Sequence, residues 1–167
     1  AGKVLNLNTS FTVSAWIKSN GSNQTILSKR DNPFTTGYDL SINSAGKAEM
    51  SWFNGTNKKT ITSTVVIPTG KWHNIAVTYG DGTTSTARLY IDGVLDRTES
   101  SFPSVTANSQ SFLIAAADGV NTTSYFNGGI DEVRVWNVDL KEKELRYVMN
   151  QEILSNGLAT NGKTIPN

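Results

Sequence analysis

The chain has 167 residues, 37% of them hydrophobic and only 17% charged, with a formal net charge of +1 and no cysteine. That length suits one domain with a buried core, and the missing cysteine excludes a disulfide framework, a thiolate metal site and a cysteine nucleophile. No basic run and no apolar run approaching about 18 residues occurs, which argues against a nucleic-acid partner and against membrane insertion.

Turn signals and alternation then dominate the chain. Asn-Gly or Asp-Gly pairs stand at Asn20-Gly21, Asn54-Gly55, Asp81-Gly82, Asp92-Gly93, Asp118-Gly119 and Asn127-Gly128. Such pairs tolerate the positive φ angles of tight hairpins. In the first run between turns, Phe11, Val13, Ala15 and Ile17 share one face. Period-two patterning follows at 38–43, 48–53, 60–66, 72–79, 87–91, 111–115 and 130–136, with Ile75, Val77 and Tyr79 on one face of the fourth of these. Roughly ten short strands separated by turns predict an all-β fold, an antiparallel sandwich of two sheets.

One short C-terminal helix interrupts the pattern. Asp139 is its expected cap, with Glu142 in the capping-box position, and Leu145, Val148, Met149 and Ile153 trace one face. That face is expected to lie across a sheet edge or the sandwich opening. The domain is expected to span 1–154, with 155–167 a polar, glycine-rich tail or linker. Ala1 does not look like a natural start, so the chain is expected to be a piece of a longer protein.

Five ordered motifs carry a resemblance. Phe11-Thr12-Val13-Ser14-Ala15-Trp16-Ile17 is similar to a strand of the laminin-G-like, concanavalin-A-like jelly-roll superfamily, and Thr25-Ile26-Leu27-Ser28-Lys29 resembles the strand after it. Gly70-Lys71-Trp72-His73-Asn74-Ile75-Ala76-Val77-Thr78-Tyr79, Arg88-Leu89-Tyr90-Ile91-Asp92-Gly93, and Phe126-Asn127-Gly128-Gly129-Ile130-Asp131-Glu132-Val133-Arg134-Val135-Trp136 resemble its later signatures. The resemblance implies a jelly roll of two curved antiparallel sheets. It also implies a glycan, matrix or cell-surface ligand, frequent calcium, and a place beside neighbouring domains of one secreted or cell-surface polypeptide. The family's usual acidic opening turn is missing from residues 1–7, which weakens any calcium site drawing on it.

Catalysis finds little support in these residues. His73 is the one histidine, and no Gly-x-Ser-x-Gly elbow accompanies it. Glycosidase carboxylates sit about 5–5.5 Å apart in retaining enzymes and about 6.5–9.5 Å apart in inverting ones. Asp131 and Glu132 are adjacent, so on a regular strand they face opposite sides.

Calcium takes roughly six to eight oxygens. By parity Asp131 shares the face of Val133 and Val135, where a carboxylate needs a metal, a cation or hydrogen-bond donors; a bulge at Gly128-Gly129 would shift that parity. Asp31, Asn32, Asp118 and Asn121, in two oxygen-rich loops, are further candidate ligands, and each also reads as ordinary turn chemistry. For a glycan, Trp52, Phe53, Phe34 and Tyr125 are the candidate aromatic platforms, with at most one of Trp52 and Phe53 facing outward. Trp16, Trp72 and Trp136 are expected in the core or half-buried. The leading expectation is a non-catalytic, calcium-assisted glycan-binding or adhesive module. The alternatives are a passive structural spacer and, behind it, a glycoside hydrolase.

Overall fold

The computed structural model describes residues 5–7, 9–80, 85–118 and 124–152. Among them run ten strands and one helix: β1 (Ser10–Ser19), β2 (Gln24–Arg30), β3 (Thr36–Ile42), β4 (Lys47–Asn54), β5 (Lys58–Val66), β6 (His73–Gly80), β7 (Thr86–Ile91), β8 (Val94–Glu99), β9 (Leu113–Ile114), β10 (Gly128–Trp136) and α1 (Glu142–Val148). They form two five-stranded antiparallel sheets, ordered β10-β1-β6-β7-β8 and β5-β4-β3-β2-β9. This is the jelly-roll sandwich that alternation predicts. No helix among the described residues is long and apolar enough to cross a membrane.

The alternating faces meet between the sheets. Phe11, Val13, Ala15 and Ile17 of β1 and Ile75, Val77 and Tyr79 of β6 pack with Tyr38, Leu40 and Ile42 of β3 and Ala48, Met50 and Trp52 of β4. Each of the larger aliphatic and aromatic side chains here contributes about 1.5–3 kcal/mol on burial, and the alanines less. Trp52 lies at the heart of this layer. Its ring meets Phe11 and Tyr79 edge-on at centroid distances of 5.5 Å each, and its indole N–H donates to the Pro103 carbonyl at 2.7 Å. Trp52 is therefore a core residue, which corrects its reading as a glycan platform.

The hairpin turns follow local chemistry. Asp92 and Gly93 take φ angles of 51° and 73°, as a two-residue hairpin between β7 and β8 requires. The Asp92 carboxylate accepts from the Asn74 backbone N–H at 2.8 Å and lies 2.8 Å from His73 Nδ1. The lone histidine is thus tied to a turn.

The helix differs from expectation in two respects. It starts at Glu142, and Glu144 accepts from the Lys141 backbone N–H at 2.7 Å, so the capping position falls two residues after Asp139. Asp139 instead pairs with the Lys141 ammonium. The helix also covers the outer face of the first sheet rather than an edge: Leu140, Leu145 and Val148 pack on Ala76 and Tyr90 as a second apolar cluster. Thr12 fastens this layer, donating to the Val138 carbonyl at 2.7 Å and accepting from the Leu140 N–H at 2.8 Å. The expected tail at 155–167 lies outside the described residues.

Candidate functional site

The outer face of the first sheet carries α1, whereas the outer face of the second sheet carries polar and aromatic side chains. Register builds it row by row. Arg30 of β2 pairs with Gly37 of β3, Gly37 with Phe53 of β4, and Phe53 with Lys58 of β5. Residues directly opposite one another across antiparallel strands share a face. Arg30, Phe53 and Lys58 therefore stand in one line, with the side-chain-free Gly37 between them. The next row on this face is Ser28, Asp39, Ser51 and Thr60. In it Ser51 Oγ lies 2.7 Å from Thr60 Oγ1, and Ser28 donates to the Ala116 carbonyl at 2.8 Å.

Phe34, from the loop between β2 and β3, joins the first row. Its ring lies 6.2 Å from that of Phe53 at an interplanar angle of 50°. The Arg30 guanidinium carbon sits 4.8 Å from the Phe34 centroid and Lys58 Nζ 5.0 Å from it, so one ring carries two cations. The loop is held by Asp31. Its carboxylate accepts from the Thr35 and Thr36 backbone N–H groups at 2.8 and 2.7 Å and from the Thr35 hydroxyl. Burial works to raise the Asp31 pKa, but these hydrogen bonds outweigh it and hold the group below its ordinary value.

Two carboxylates share Arg30. Its Nε lies 3.0 Å from Asp39 Oδ2 and its Nη2 lies 3.6 Å from Asp118 Oδ2. Burial pushes Asp39 up to about 6, with Glu49 adding to the rise and Arg30 and Lys58 opposing it. The arrangement offers two apolar ring surfaces, two cationic groups, the exposed Thr60 hydroxyl and two buried carboxylates that hold Arg30, while Ser28 and Ser51 of the same row are themselves buried. A pyranose presents matching features, with C–H faces to lay on rings and hydroxyls that both donate and accept.

The structure thus gathers Phe34 and Phe53, with Asp31 and Asp118 beside Arg30, from three separate stretches of sequence. Arg30, Asp39 and Lys58 were not singled out in the sequence. Their only signal is cross-strand register, which a single sequence does not print. Tyr125 is 55% exposed ahead of β10, and no ring contact joins it to the Phe34–Phe53 pair.

The calcium candidates do not assemble a ligand shell among the described residues, where no group of three His, Cys, Asp or Glu side chains lies close enough to hold a metal ion. Asp31 is turned onto its own loop, Asp118 faces Arg30, Asn32 is exposed, and Asn121 lies outside the described residues. Asp131 is also corrected. It is exposed, because β10 carries a bulge: Ser14 pairs with Arg134 but Trp16 with Asp131, and Glu132 takes a φ of 49°. The extra residue sits at Glu132 rather than at Gly128-Gly129. It turns Ile130, Val133 and Val135 toward the core and leaves both Asp131 and Glu132 outside.

Comparison with known proteins agrees with this architecture. The sequence model described as the concanavalin A-like lectin/glucanases superfamily matches residues 1–146. Among solved structures, the chain resembles the Ruminococcus gnavus IT-sialidase CBM40 bound to α2,3-sialyllactose, at 19% identity and TM-score 0.70, over 85% of this chain and 83% of that one. Domain 4 of AbnA, an extracellular arabinanase from Geobacillus stearothermophilus, in complex with arabinotriose, is similar at 21% identity and TM-score 0.64, over 86% of this chain and 68% of that one. The mouse laminin α1 domains LG4-5 are similar at 13% identity and TM-score 0.63, over 84% of this chain and 39% of that one, so the chain spans well under half their length. At these identities the likeness is one of fold. No curated protein sequence matches the chain.

Proposed function

The chain belongs to the concanavalin A-like lectin/glucanases superfamily, and on that basis we propose that it is a non-catalytic glycan-binding or adhesion module of a secreted or cell-surface multidomain protein. The observation that carries the reading is the row Arg30–Phe53–Lys58 with Phe34 laid against it, on the sheet face that no helix covers. Similar folds with sialyllactose and arabinotriose bound support the ligand class. A sugar ring lies along Phe34 and Phe53, while the exposed Lys58 ammonium and Thr60 hydroxyl bond its polar edge. Asp39 and Asp118 act through Arg30 as positioning residues.

Calcium assistance is a separate part of the proposal. Asn32 and Asn121, with backbone carbonyls of their loops, would supply the neutral oxygens and Asp118 the charge. No step of glycan recognition is routed through the ion.

The test is a glycan array of the full chain with and without chelator, repeated with Phe34→Ala. The reading expects selective binding that Phe34→Ala removes while the melting temperature stays within a few degrees. Silence on every glycan, or binding indifferent to Phe34→Ala, overturns it.

A structural-module reading has its own observation. Val65 and Val66 on β5 and Val94 and Leu95 on β8 are exposed aliphatics on the free edges of the two sheets. Such residues suit packing on a neighbouring domain. A silent array together with tighter protection of these edges in the longer polypeptide would favour it.

A further inference from the structure

The bulge in β10 creates a second site on the opposite side of the molecule. Trp16, on the outer face of β1, and Trp72, in the loop before β6, wall an open cleft of about 310 Å3 whose remaining lining includes Asp131, Glu132, Asn150 and Glu152. Trp72 is 47% exposed. Its six-membered ring is seated on Gly129, where a side chain would bring a Cβ within 2.7 Å of the Trp72 Cη2 atom. Trp16 is fixed from behind, its indole N–H donating to the Met149 carbonyl at 2.8 Å. That bond uses up the group's one donor, so Trp16 has only its ring surface to offer a ligand.

Charge decides what the rings receive. Arg134, the cation paired with Glu132, is buried and also bonded to the Val148 and Gln151 carbonyls. It neutralises Glu132 and stays behind the cleft. Asp131 spends one oxygen on the Glu132 backbone N–H at 2.8 Å, and neither Asp131 nor Glu152 has a cationic partner among the described residues. Among the described residues no Lys or Arg lines the cleft. An anionic ligand meets the Asp131 and Glu152 carboxylates there, while the Asn150 and Gln151 amides that share the lining carry no charge to offset them. A cation with an apolar shell satisfies both the rings and the carboxylates, because the π-face attracts positive charge and the carboxylates stay solvated on the other side.

We propose that the Trp16–Trp72 cleft binds an organic ammonium group, alkylated or carried on an aliphatic chain, independently of the glycan face on the second sheet. Both walls are held without ligand, one by Gly129 and one by the Met149 carbonyl, so little ordering is needed on binding.

The experiment titrates the full chain with tetramethylammonium chloride at constant ionic strength, followed by tryptophan fluorescence and calorimetry. tert-Butyl alcohol, a neutral molecule of nearly the same tetrahedral shape, and a neutral methyl glycoside are run beside it. Saturable binding in roughly the millimolar range is expected for the cation, and at least about tenfold weaker binding for the alcohol. Trp72→Ala should lose about tenfold in affinity, Trp72→Phe should recover part of it, and Asp131→Asn should weaken binding about threefold. Phe34→Ala, on the other face, should leave ammonium binding unchanged, so failure here and failure of the glycan reading are told apart. An equal response to the alcohol, binding of the glycoside alone, no saturable response, or indifference to Trp72→Ala would each overturn the proposal.

Discussion

Replacing Arg30 with methionine isolates the electrostatics of the candidate face. Met keeps the aliphatic reach along Phe34 and removes the charge that Asp39 and Asp118 share at 3.0 and 3.6 Å. Both carboxylates are largely buried, and breaking a buried pair by removing one partner costs about 3–5 kcal/mol, since the remaining buried charge loses that partner. That cost depends on pH in a definite direction. The folded state raises Asp39 from 3.8 to about 6, so it holds a proton more tightly than the unfolded chain does. In the parent protein this group's contribution to stability is greatest below about pH 4, declines as pH rises toward 6, and is level above; the total decline is about 3 kcal/mol from a rise of about two pKa units. Without Arg30, only Lys58 opposes burial and Glu49, and the window moves upward. The expected loss is therefore about 3–5 kcal/mol at pH 7.5. At pH 4.5, where Asp39 is largely protonated in the folded state, the loss is expected to be smaller than at pH 7.5. Urea unfolding at the two pH values, read by tryptophan fluorescence with the slopes compared, measures both numbers. An equal cost at pH 4.5 and 7.5 would refute the assignment of a buried, proton-holding Asp39.

Three further outcomes follow from other parts of the fold. Trp52→Ala should cost about 3–5 kcal/mol in urea unfolding, since it removes a core ring and orphans the Pro103 carbonyl, and a loss under about 1 kcal/mol would contradict its central place. Asp92→Ala should cost about 2 kcal/mol by stripping the acceptor from Asn74 N–H and placing alanine at positive φ, whereas Asp92→Asn, which keeps an acceptor oxygen and tolerates that backbone, should cost less than half as much; a denaturation midpoint for each variant decides it. If calcium binds the Asp118 rim, the ion at about a hundred times its Kd should add about 2.7 kcal/mol of stability, reversed by chelator. No rise removes the calcium part of the proposed function and leaves the aromatic recognition standing.

Strands were legible because burial on one side of each writes a period of two into the chain. Phe11 through Ile17 and Ile75 through Tyr79 read inward in sequence and point inward in the fold. Asp92-Gly93 announced its hairpin because only such pairs take two positive φ angles cheaply. The helix cap was misplaced by two residues for a physical reason. Asp139 is occupied by the Lys141 ammonium, and the chain runs extended through Lys141 as Leu140 is drawn into the cluster over Ala76, so the first turn forms only at Glu142. Tertiary packing overrode a local capping preference.

The functional faces were less legible, and the two failures have different causes. Parity placed Trp52 and Phe53 on opposite sides, as the structure does, but could not say which was inside. That is settled by Trp52 meeting Phe11 and Tyr79 across the sandwich, a contact between distant strands. Asp131 failed because parity assumes an unbroken ladder. One extra residue at Glu132 reverses every side chain before it relative to those after it, and no glycine marks the spot. A non-glycine residue held at a φ of 49° is itself costly, and its salt bridge to Arg134 is a partial offset. What the distortion yields is two carboxylates on one side of a strand, facing two indoles. A regular β10 would have turned one of them toward the core, on the face of Val133 and Val135, where burial disfavours the charged form. The bulge is thus the step that converts a structural edge of the first sheet into a charged, aromatic-walled surface. Any variant that restores regular pairing there should lose the cleft while keeping the sandwich.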